Sequence, residues 1–429
     1  MKTLEEKLTS KRPHKPNRLL YGILAVIFGV ISRKNNVHYV YDFDVRQFKN
    51  KPFILLSQHA SRNDFIYVTY GMRKTRFNIV VGYYNFFSRF VFTLLRMVGA
   101  IPKKLYAPDL GAVLNIRHVV KNGGSVLLFP EGIQSTSGSN HPINPATIKL
   151  LKSCKLPVVL CRSEGAYKSR PRYKRDNCKG KMSYRYTMLF DEKELQESSE
   201  EQLYDKLMEN FRYNEFSDNQ VEFKGKYPHS YGLDKILYIC PKCGSEFTLV
   251  THETGIRCTH CNNNVNIDSR YRLYGTKEDV VPSDIDSWYK WQRSVVRQQV
   301  SDDNFVLQGR FEYQVIDKYK LHTPAEQTVG EGKLTLNKEG LHYFGTVNGK
   351  EVVQHYDIAN IPSLPFTPGQ SVDLYYGNDY ICFKAMSNPS EVVKWMLCSE
   401  ELHNLTDPKW KKVSDDAYRT EEFKDKYGN

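Results

Sequence analysis

A histidine and an aspartate with four residues between them, His59 and Asp64, directly follow a short apolar stretch. Imidazole titrates near neutral pH, and a carboxylate bonded to one ring nitrogen leaves the other free to take a proton from a hydroxyl. Residues 53–56 have the pattern of a buried strand, and residues 64–68 that of a helix start. The pair therefore predicts a general base on a strand-to-helix turn, although a surface histidine near a helix start has the same pattern.

A second carboxylate, Glu131, stands between a proline and a glycine at the end of another apolar stretch, residues 125–129. Pro130 and Gly132 favour a tight bend that would present Glu131 at the carboxyl end of this strand. In a parallel α/β sheet that edge is where ligands bind. An ordinary turn can have the same residues, so this cluster indicates a functional site only in combination with His59 and Asp64.

Together these clusters resemble the H-x-x-x-x-D and F-P-E-G motifs of the glycerolipid acyltransferase family, the second motif covering residues 129–132. Gly99, Lys103 and Lys104 stand where the family has a glycine followed by an arginine. Residues 156–159 resemble the family's last, proline-centred strand. The four segments come in the family's order, and the resemblance covers residues 15–215.

The resemblance implies a reaction. An acyl group would pass from acyl-CoA or an acyl carrier protein to a hydroxyl of a lysophosphatidate-like lysolipid in phospholipid biosynthesis. His59, oriented by Asp64, would take the hydroxyl proton. The residues expected to bind substrate are Gly99, Lys103, Lys104, Phe129, Pro130, Glu131 and Gly132. The headgroup stays open, because Lys104 replaces an arginine and Gln134 stands where many members have a basic residue.

The N-terminal 35 residues combine basic side chains with an apolar run at residues 19–31. This run is too short for a bilayer, which takes about 20 residues. Basic flanks suit anionic headgroups, so we expect a monotopic helix in the interface on the cytoplasmic face of a membrane. A buried core helix is the competing interpretation. The net charge of +13 fits an anionic partner, either a membrane or nucleic acid.

A basic stretch with interspersed tyrosines covers residues 162–185. Basic and aromatic side chains together can bind single-stranded nucleic acid. They can equally face lipid headgroups or the phosphates of an acyl carrier protein. A solvated loop between two strands is the third interpretation.

Two C-x-x-C pairs have the spacing of a zinc ribbon: Cys240, Cys243, Cys258 and Cys261. Four thiolates leave no open position for substrate, so we expect the zinc to be structural. A disulfide pair and a redox dithiol are the disfavoured alternatives. The five remaining cysteines are scattered and fit a reducing compartment.

Alternating strand and helix patterns predict an α/β acyltransferase domain at residues 36–215, with a mixed or parallel sheet flanked by helices. It follows the basic N-terminus and interfacial helix at 1–35. A linker is predicted at 216–236 and the ribbon at 237–270. Residues 285–429 are predicted to form a barrel-like β domain, with hairpin turns at 337–340 and 376–379 and a closing helix at 389–402.

The β-rich region resembles a pleckstrin-homology or GRAM-type domain in its order of elements alone. An accessory domain without a lipid ligand is the alternative. For the whole chain, a membrane-associated acyltransferase competes with a zinc-ribbon nucleic-acid-binding protein and with an inactive lipid-binding scaffold. We favour the enzyme, because nucleic-acid binding leaves His59, Asp64 and Glu131 without a role.

Overall fold

The computed structural model describes residues 2–217, 220–377 and 379–418. The strands in this part of the chain form two seven-stranded sheets and one four-stranded sheet. Helices cover the first sheet, and the other two sheets are antiparallel throughout. The predicted mixed α/β architecture with additional β-rich sheets is therefore confirmed.

The first sheet belongs to the N-terminal half of the chain. The helices and strands of this half are α1 (Leu4–Thr9), α2 (Arg18–Lys34), β1 (Val37–Tyr41), β2 (Ile54–Ser57), α3 (Asp64–Gly71), β3 (Phe77–Gly82), α4 (Phe92–Met97), β4 (Ile101–Lys103), α5 (Leu110–Lys121), β5 (Ser125–Leu128), α6 (Ala146–Cys154), β6 (Val158–Glu164), α7 (Ala166–Ser169), β7 (Met182–Phe190), α8 (Glu192–Glu197) and α9 (Glu200–Phe211).

The strand order of this sheet is β1-β7-β6-β2-β5-β3-β4. Every neighbouring pair is parallel except β6 with β7. The interior strands β2 and β5 are buried along their whole length, as expected of apolar strands in a parallel sheet covered on both faces. The carboxyl ends of β2, β5, β3 and β4 consequently meet at one edge.

Residues 216–236 were predicted to form a linker, but the part of this segment that the structure describes, 216–217 and 220–236, packs into the core. Phe223, Leu233 and Ile236 are each 1% exposed or less. Its glycines and proline occupy turns between these buried side chains, for example at Gly232, where φ is 93°. Because the apolar residues are too widely spaced to give a periodic pattern, the sequence indicated only the turns.

The ribbon region forms the four-stranded sheet. Its strands are β8 (Leu249–His252), β9 (Gly255–Cys258), β10 (Asn264–Ile267) and β11 (Leu273–Tyr274), and the helix α10 (Ile285–Ser301) follows. Gln292 of α10 accepts hydrogen bonds from the backbone N–H groups of Tyr238 and Ile239. The helix therefore holds in place the segment that leads into the first C-x-x-C pair, Cys240 and Cys243.

The second seven-stranded sheet has the order β15-β14-β13-β12-β18-β17-β16. Its strands and the last helices are β12 (Leu307–Ile316), β13 (Glu326–Leu336), β14 (Gly340–Val347), β15 (Lys350–Asp357), β16 (Phe366–Thr367), β17 (Ser371–Tyr376), β18 (Asp379–Ala385), α11 (Val392–Thr406) and α12 (Pro408–Ala417). The predicted turn at 337–340 joins β13 to β14. The turn predicted at 376–379 includes Asn378, which lies outside the described residues, as do residues 419–429.

The N-terminal helix α1 meets the C-terminal β domain over the β3–β4 side of the first sheet. Leu4 and Leu8 of α1 are buried in a cluster with Tyr83 and Tyr380. The backbone N–H of Leu4 donates to the carbonyl of Lys318 at 2.8 Å. The C-terminal β domain therefore covers part of the edge at which the predicted site lies.

The helix α2 packs on α3, where the rings of Phe28 and Phe65 meet edge to face with centroids 6.0 Å apart. Its outer face exposes large apolar side chains, namely Leu19, Ile23, Val26, Ile27 and Val30. Within residues 2–217, 220–377 and 379–418, no helix has both the length and the apolar character needed to cross a bilayer.

Candidate active site

His59 and Asp64 lie side by side at the carboxyl end of β2. Nδ1 of His59 is 3.3 Å from Oδ2 of Asp64. The imidazole is 25% exposed and the carboxylate is fully buried. An Nδ1–H donated to Asp64 leaves Nε2 as the basic nitrogen, and no described residue bonds to Nε2. The pair has the arrangement expected of a general base with an orienting carboxylate.

Groups other than His59 also hold the carboxylate of Asp64 in place. Its Oδ2 accepts the backbone N–H of Ser61 at 2.7 Å, and its Oδ1 accepts the hydroxyl of Tyr184 at 2.9 Å. Asp64 is also the first residue of α3, where the helix dipole favours a negative charge. Because two hydrogen bonds hold the carboxylate at the start of α3, the direction of its bond to His59 is set by the fold.

Glu131 turns inward and bonds to two backbone groups. Its Oε1 accepts the N–H of His59 at 2.7 Å, and its Oε2 accepts the N–H of His141 at 2.8 Å. Burial raises the pKa of Glu131 to about 8, while these two hydrogen bonds act in the opposite direction. The sequence predicted that the bend presents Glu131 to the acceptor, whereas in the structure both oxygens are occupied inside the protein.

The turn around Glu131 also shapes the site. The N–H of Gly132 donates to the carbonyl of Phe129 at 3.1 Å, and Gly132 has a φ of 80°. A Cβ there would meet no atom within 4 Å, so the glycine serves the backbone conformation. Pro130 occupies the second position of the turn, which suits its fixed φ. Phe129 lies against His59 with ring centroids 4.6 Å apart.

Lys103 and Lys104 lie at the same edge of the sheet, but β4 is two strand spacings, about 10 Å, from β5. Nζ of Lys104 is 3.4 Å from Oε1 of Glu5 and 3.4 Å from the carbonyl of Gly377. Nζ of Lys103 donates to the carbonyl of Lys104, and burial lowers the pKa of Lys103. The structure therefore places both lysines beneath α1 and the C-terminal domain.

Gly99 lies at the opposite end of β4 from the lysines. Its φ is 62°, and a Cβ would come within 2.1 Å of the carbonyl oxygen of His14. Asn78 donates to the carbonyls of both His14 and Gly99. The structure gives Gly99 a packing role against the N-terminal segment and does not bring it to His59.

Tyr184 and His141 complete the site and were not found from the sequence. Both are distant in sequence from the motif residues that they contact. One signal for Tyr184 was available, because residues 182–186 alternate between buried and more exposed side chains, with Arg185 facing outward. That period of two is the pattern of a strand.

The basic stretch at residues 162–185 is largely folded into the core. Tyr167, Tyr173 and Tyr184 are each 3% exposed or less, and Lys168 and Lys174 are also buried. The stretch therefore presents no row of exposed aromatic rings on which nucleic-acid bases could stack.

The four predicted zinc ligands come together. The sulfur atoms of Cys240, Cys243, Cys258 and Cys261 all lie within 4.8 Å of one another. Sγ of Cys240 is 3.6 Å from that of Cys261, and Sγ of Cys243 is 3.8 Å from that of Cys258. Tetrahedral zinc with thiolates at 2.3 Å requires sulfur separations of about 3.8 Å, so the residues fit the metal.

Comparisons with known proteins bear on the first sheet. Residues 34–163 match a family model described as Acyltransferase. The solved structures that match include the 1-acyl-sn-glycerophosphate (LPA) acyltransferase PlsC from Thermotoga maritima, with 19% identity, a TM-score of 0.39, and coverage of 45% of this chain and 76% of that chain. No curated protein sequence matches the chain.

The matched segment holds His59, Asp64 and Glu131, which the fold joins through direct hydrogen bonds. Residues 34–163 of the chain therefore form an acyltransferase-family domain.

Proposed function

We propose that the protein transfers an acyl group from an acyl thioester to a hydroxyl of a lysophosphatidate-like lysolipid at a membrane surface. The observation that carries the proposal is the bond between Nδ1 of His59 and the buried carboxylate of Asp64, at the carboxyl edge of the sheet. A base oriented in this way needs no serine or cysteine nucleophile, because the acceptor hydroxyl attacks the thioester directly.

In the proposed reaction, Nε2 of His59 takes the proton of the acceptor hydroxyl as its oxygen attacks the carbonyl carbon of the thioester. The new carbon–oxygen bond gives a tetrahedral intermediate. Its collapse breaks the carbon–sulfur bond, and the leaving thiolate takes the proton back from His59. Asp64 keeps its charge throughout and stabilises the transient imidazolium.

The membrane surface is proposed from the position of α2. Phe28 of this helix packs against Phe65, which is 41% exposed and directly follows Asp64. Arg18, Arg33 and Lys34 stand at the two ends of the helix. An amphipathic helix with basic ends suits an interface with anionic headgroups, and this one adjoins the catalytic pair. We also propose that the protein binds the cytoplasmic face of the membrane.

The donor is proposed to be acyl-CoA or an acyl carrier protein, in keeping with the sequence resemblance. Zinc is proposed as the ion of the four-cysteine site, where it would hold the ribbon together without touching substrate. The four sulfur atoms support this assignment, because they lie within 4.8 Å of one another.

The two alternative functions have less support. Nucleic-acid binding by the basic stretch needs exposed aromatic rings, and its tyrosines at 167, 173 and 184 are buried. An inactive scaffold has no need of a fully bonded Asp64 beside a partly exposed His59.

The test is a screen of lysolipid and glycolipid acceptors against acyl-CoA and acyl carrier protein donors, with the His59→Ala variant as the blank. The proposal expects acyl transfer to a lysophosphatidate-like acceptor and none in the blank. Consumption of thioester without acylation of any lysolipid would contradict it. Vesicle co-sedimentation beside a nucleic-acid shift assay separates membrane from nucleic-acid binding.

A further inference from the structure

Arg172 is an arginine without a carboxylate partner, close to the catalytic turn. Its Nη1 donates to the carbonyl of Gln134 at 3.3 Å and lies 3.4 Å from the hydroxyl of Thr136. Its Nη2 donates to the carbonyl of Phe366 in β16, and the guanidinium lies over the ring of that residue at 4.5 Å. No described carboxylate forms an ion pair with it.

A second buried arginine of the same chain shows the contrast. Arg293 is 1% exposed and pairs with both Glu400 and Glu401, while its guanidinium lies over the ring of Tyr418. Buried charges in proteins are normally compensated in this way. Arg172 has the stacking ring and the carbonyls but lacks the carboxylates.

The surroundings of Arg172 do not make up the missing charge. The carboxyl group that acts most on it is that of Asp373, and burial raises the pKa of Asp373 to about 7. Burial therefore disfavours the ionised form of this carboxyl group. Burial also lowers the pKa of Arg172 itself. Both effects favour an anion arriving from outside the protein.

The guanidinium is near the base. The carbonyl of Gln134 accepts from Arg172, and the next residue, Ser135, donates its N–H to the carbonyl of His59 at 2.8 Å. Since one peptide group joins these two bonds, Nη1 lies within about 9 Å of the His59 carbonyl oxygen. A phosphate bound there and a hydroxyl at the imidazole can belong to one small molecule.

The neighbouring side chains add positive charge. Gln134 also donates to the carbonyls of Ala60 and Arg170 at 3.3 Å each, which ties the loop holding Arg170 to the catalytic turn. Arg62 is exposed, three residues after His59, and forms no ion pair with a described residue. Gln134 is neutral at a position where many members of the family have a basic residue. Its side chain holds the loop that carries Arg170 and Arg172, and these arginines supply the positive charge.

We infer that Arg172 is the principal binding residue for a phosphate group of a substrate in this site, taking the place of Lys104, which Glu5 and Gly377 engage. A guanidinium suits phosphate because it offers two parallel donors. The inference rests on the proposed acyl transfer and deepens it. The phosphate belongs either to the acceptor headgroup or to the pantetheine-linked nucleotide of the donor.

The test compares each phosphate-bearing substrate with a counterpart that carries no phosphate. Oleoyl-lysophosphatidate is paired with monooleoylglycerol as acceptor, and oleoyl-CoA with oleoyl-pantetheine as donor. In Arg172→Gln we expect a rise of tenfold or more in KM for one phosphate-bearing substrate, and a change below twofold for its phosphate-free counterpart. The member of the two pairs that responds identifies the source of the phosphate.

The controls separate binding from folding. Arg172→Lys keeps the charge and should give a smaller rise in KM. Arg175→Gln changes an exposed arginine of the same loop and should change nothing. Equal loss with and without phosphate in Arg172→Gln, or no loss at all, would overturn the inference and leave a purely structural tie to Phe366.

If the wild-type protein turns over no substrate pair, the proposed function is contradicted. A second measurement then still tests whether Arg172 binds phosphate. Inorganic phosphate should raise the Tm of the wild-type protein and of Arg175→Gln but not that of Arg172→Gln. An equal rise in all three proteins would contradict a phosphate site at Arg172.

Discussion

The Oε1 atom of Glu131 accepts the backbone N–H of His59 at 2.7 Å. Its Oε2 atom binds the N–H of His141, so one buried side chain clamps the catalytic turn to the loop at residue 141. The carboxylate thus acts on the backbone that carries the base. Its place in the F-P-E-G segment is explained by this clamp without any contact to substrate.

Replacing Glu131 tests the clamp. Glu131→Gln keeps one acceptor oxygen but turns an amide N–H₂ toward a backbone donor, so one of the two bonds is lost. We expect kcat to fall about 10- to 100-fold, because the substitution leaves a buried backbone N–H without an acceptor. Steady-state kinetics measures this, with Glu215→Gln as a second buried glutamate changed in the same way. An unchanged kcat in Glu131→Gln would show that the hydrogen bonds of Glu131 do not contribute to catalysis.

Tyr184 should contribute through Asp64. In Tyr184→Phe, Oδ1 of Asp64 loses a hydroxyl donor, and the carboxylate is less firmly aimed at His59. We expect kcat to fall about 5- to 10-fold with little change in KM. The matched control is Tyr186→Phe, two residues along the same strand, whose hydroxyl donates to the carbonyl of Val68 instead. Equal effects of the two substitutions would assign both to packing.

The ribbon should contain one zinc ion per chain. Cys258→Ser removes one of four ligands, so the variant should lose its metal and unfold at a lower temperature than the wild type. His260→Ala changes an exposed residue of the same knuckle that is not among the ligands, and it should keep the zinc. Elemental analysis and thermal unfolding measure both. Purified wild-type protein without zinc would contradict the assignment.

The outer face of α2 should bind membranes. Val26 is 69% exposed on that face, and Val353 is 74% exposed on the distant strand β15. We expect Val26→Asp to lower co-sedimentation with anionic vesicles several-fold, because a carboxylate would enter the apolar layer. Val353→Asp introduces the same charge at equal exposure and should bind as the wild type does. Equal loss in both variants would point to charge alone.

The pairing of His59 with Asp64 could be predicted from the sequence, because a short turn joins the two residues and its flanking strand and helix have clear patterns. Glu131 was found for the same reason. Its role was not, since only the fold shows that the side chain turns toward His59 and His141. A local motif identifies the residues of a site, but it does not show which way their side chains point.

Contacts between distant residues account for what was missed. Tyr184 meets Asp64 across 120 positions, and Arg172 meets Phe366 across 194. The frequent charges of the stretch at residues 162–185 favour an exposed surface, yet its tyrosines at 167, 173 and 184 are buried. The helix α10 was not predicted, because its buried face includes the polar residues Asp286, Gln292 and Arg293, which interrupt the apolar pattern.

The central claim is that His59 is the base of an acyl transfer. The most direct measurement is the rate of thioester-dependent acylation of a lysolipid by His59→Ala, with His38→Ala, an exposed histidine of β1, as the control. A general base contributes about 10²- to 10⁴-fold, so His59→Ala should lose at least that lower factor in kcat while its thermal unfolding is unchanged. Retention of more than about a tenth of wild-type activity by folded His59→Ala would contradict the account.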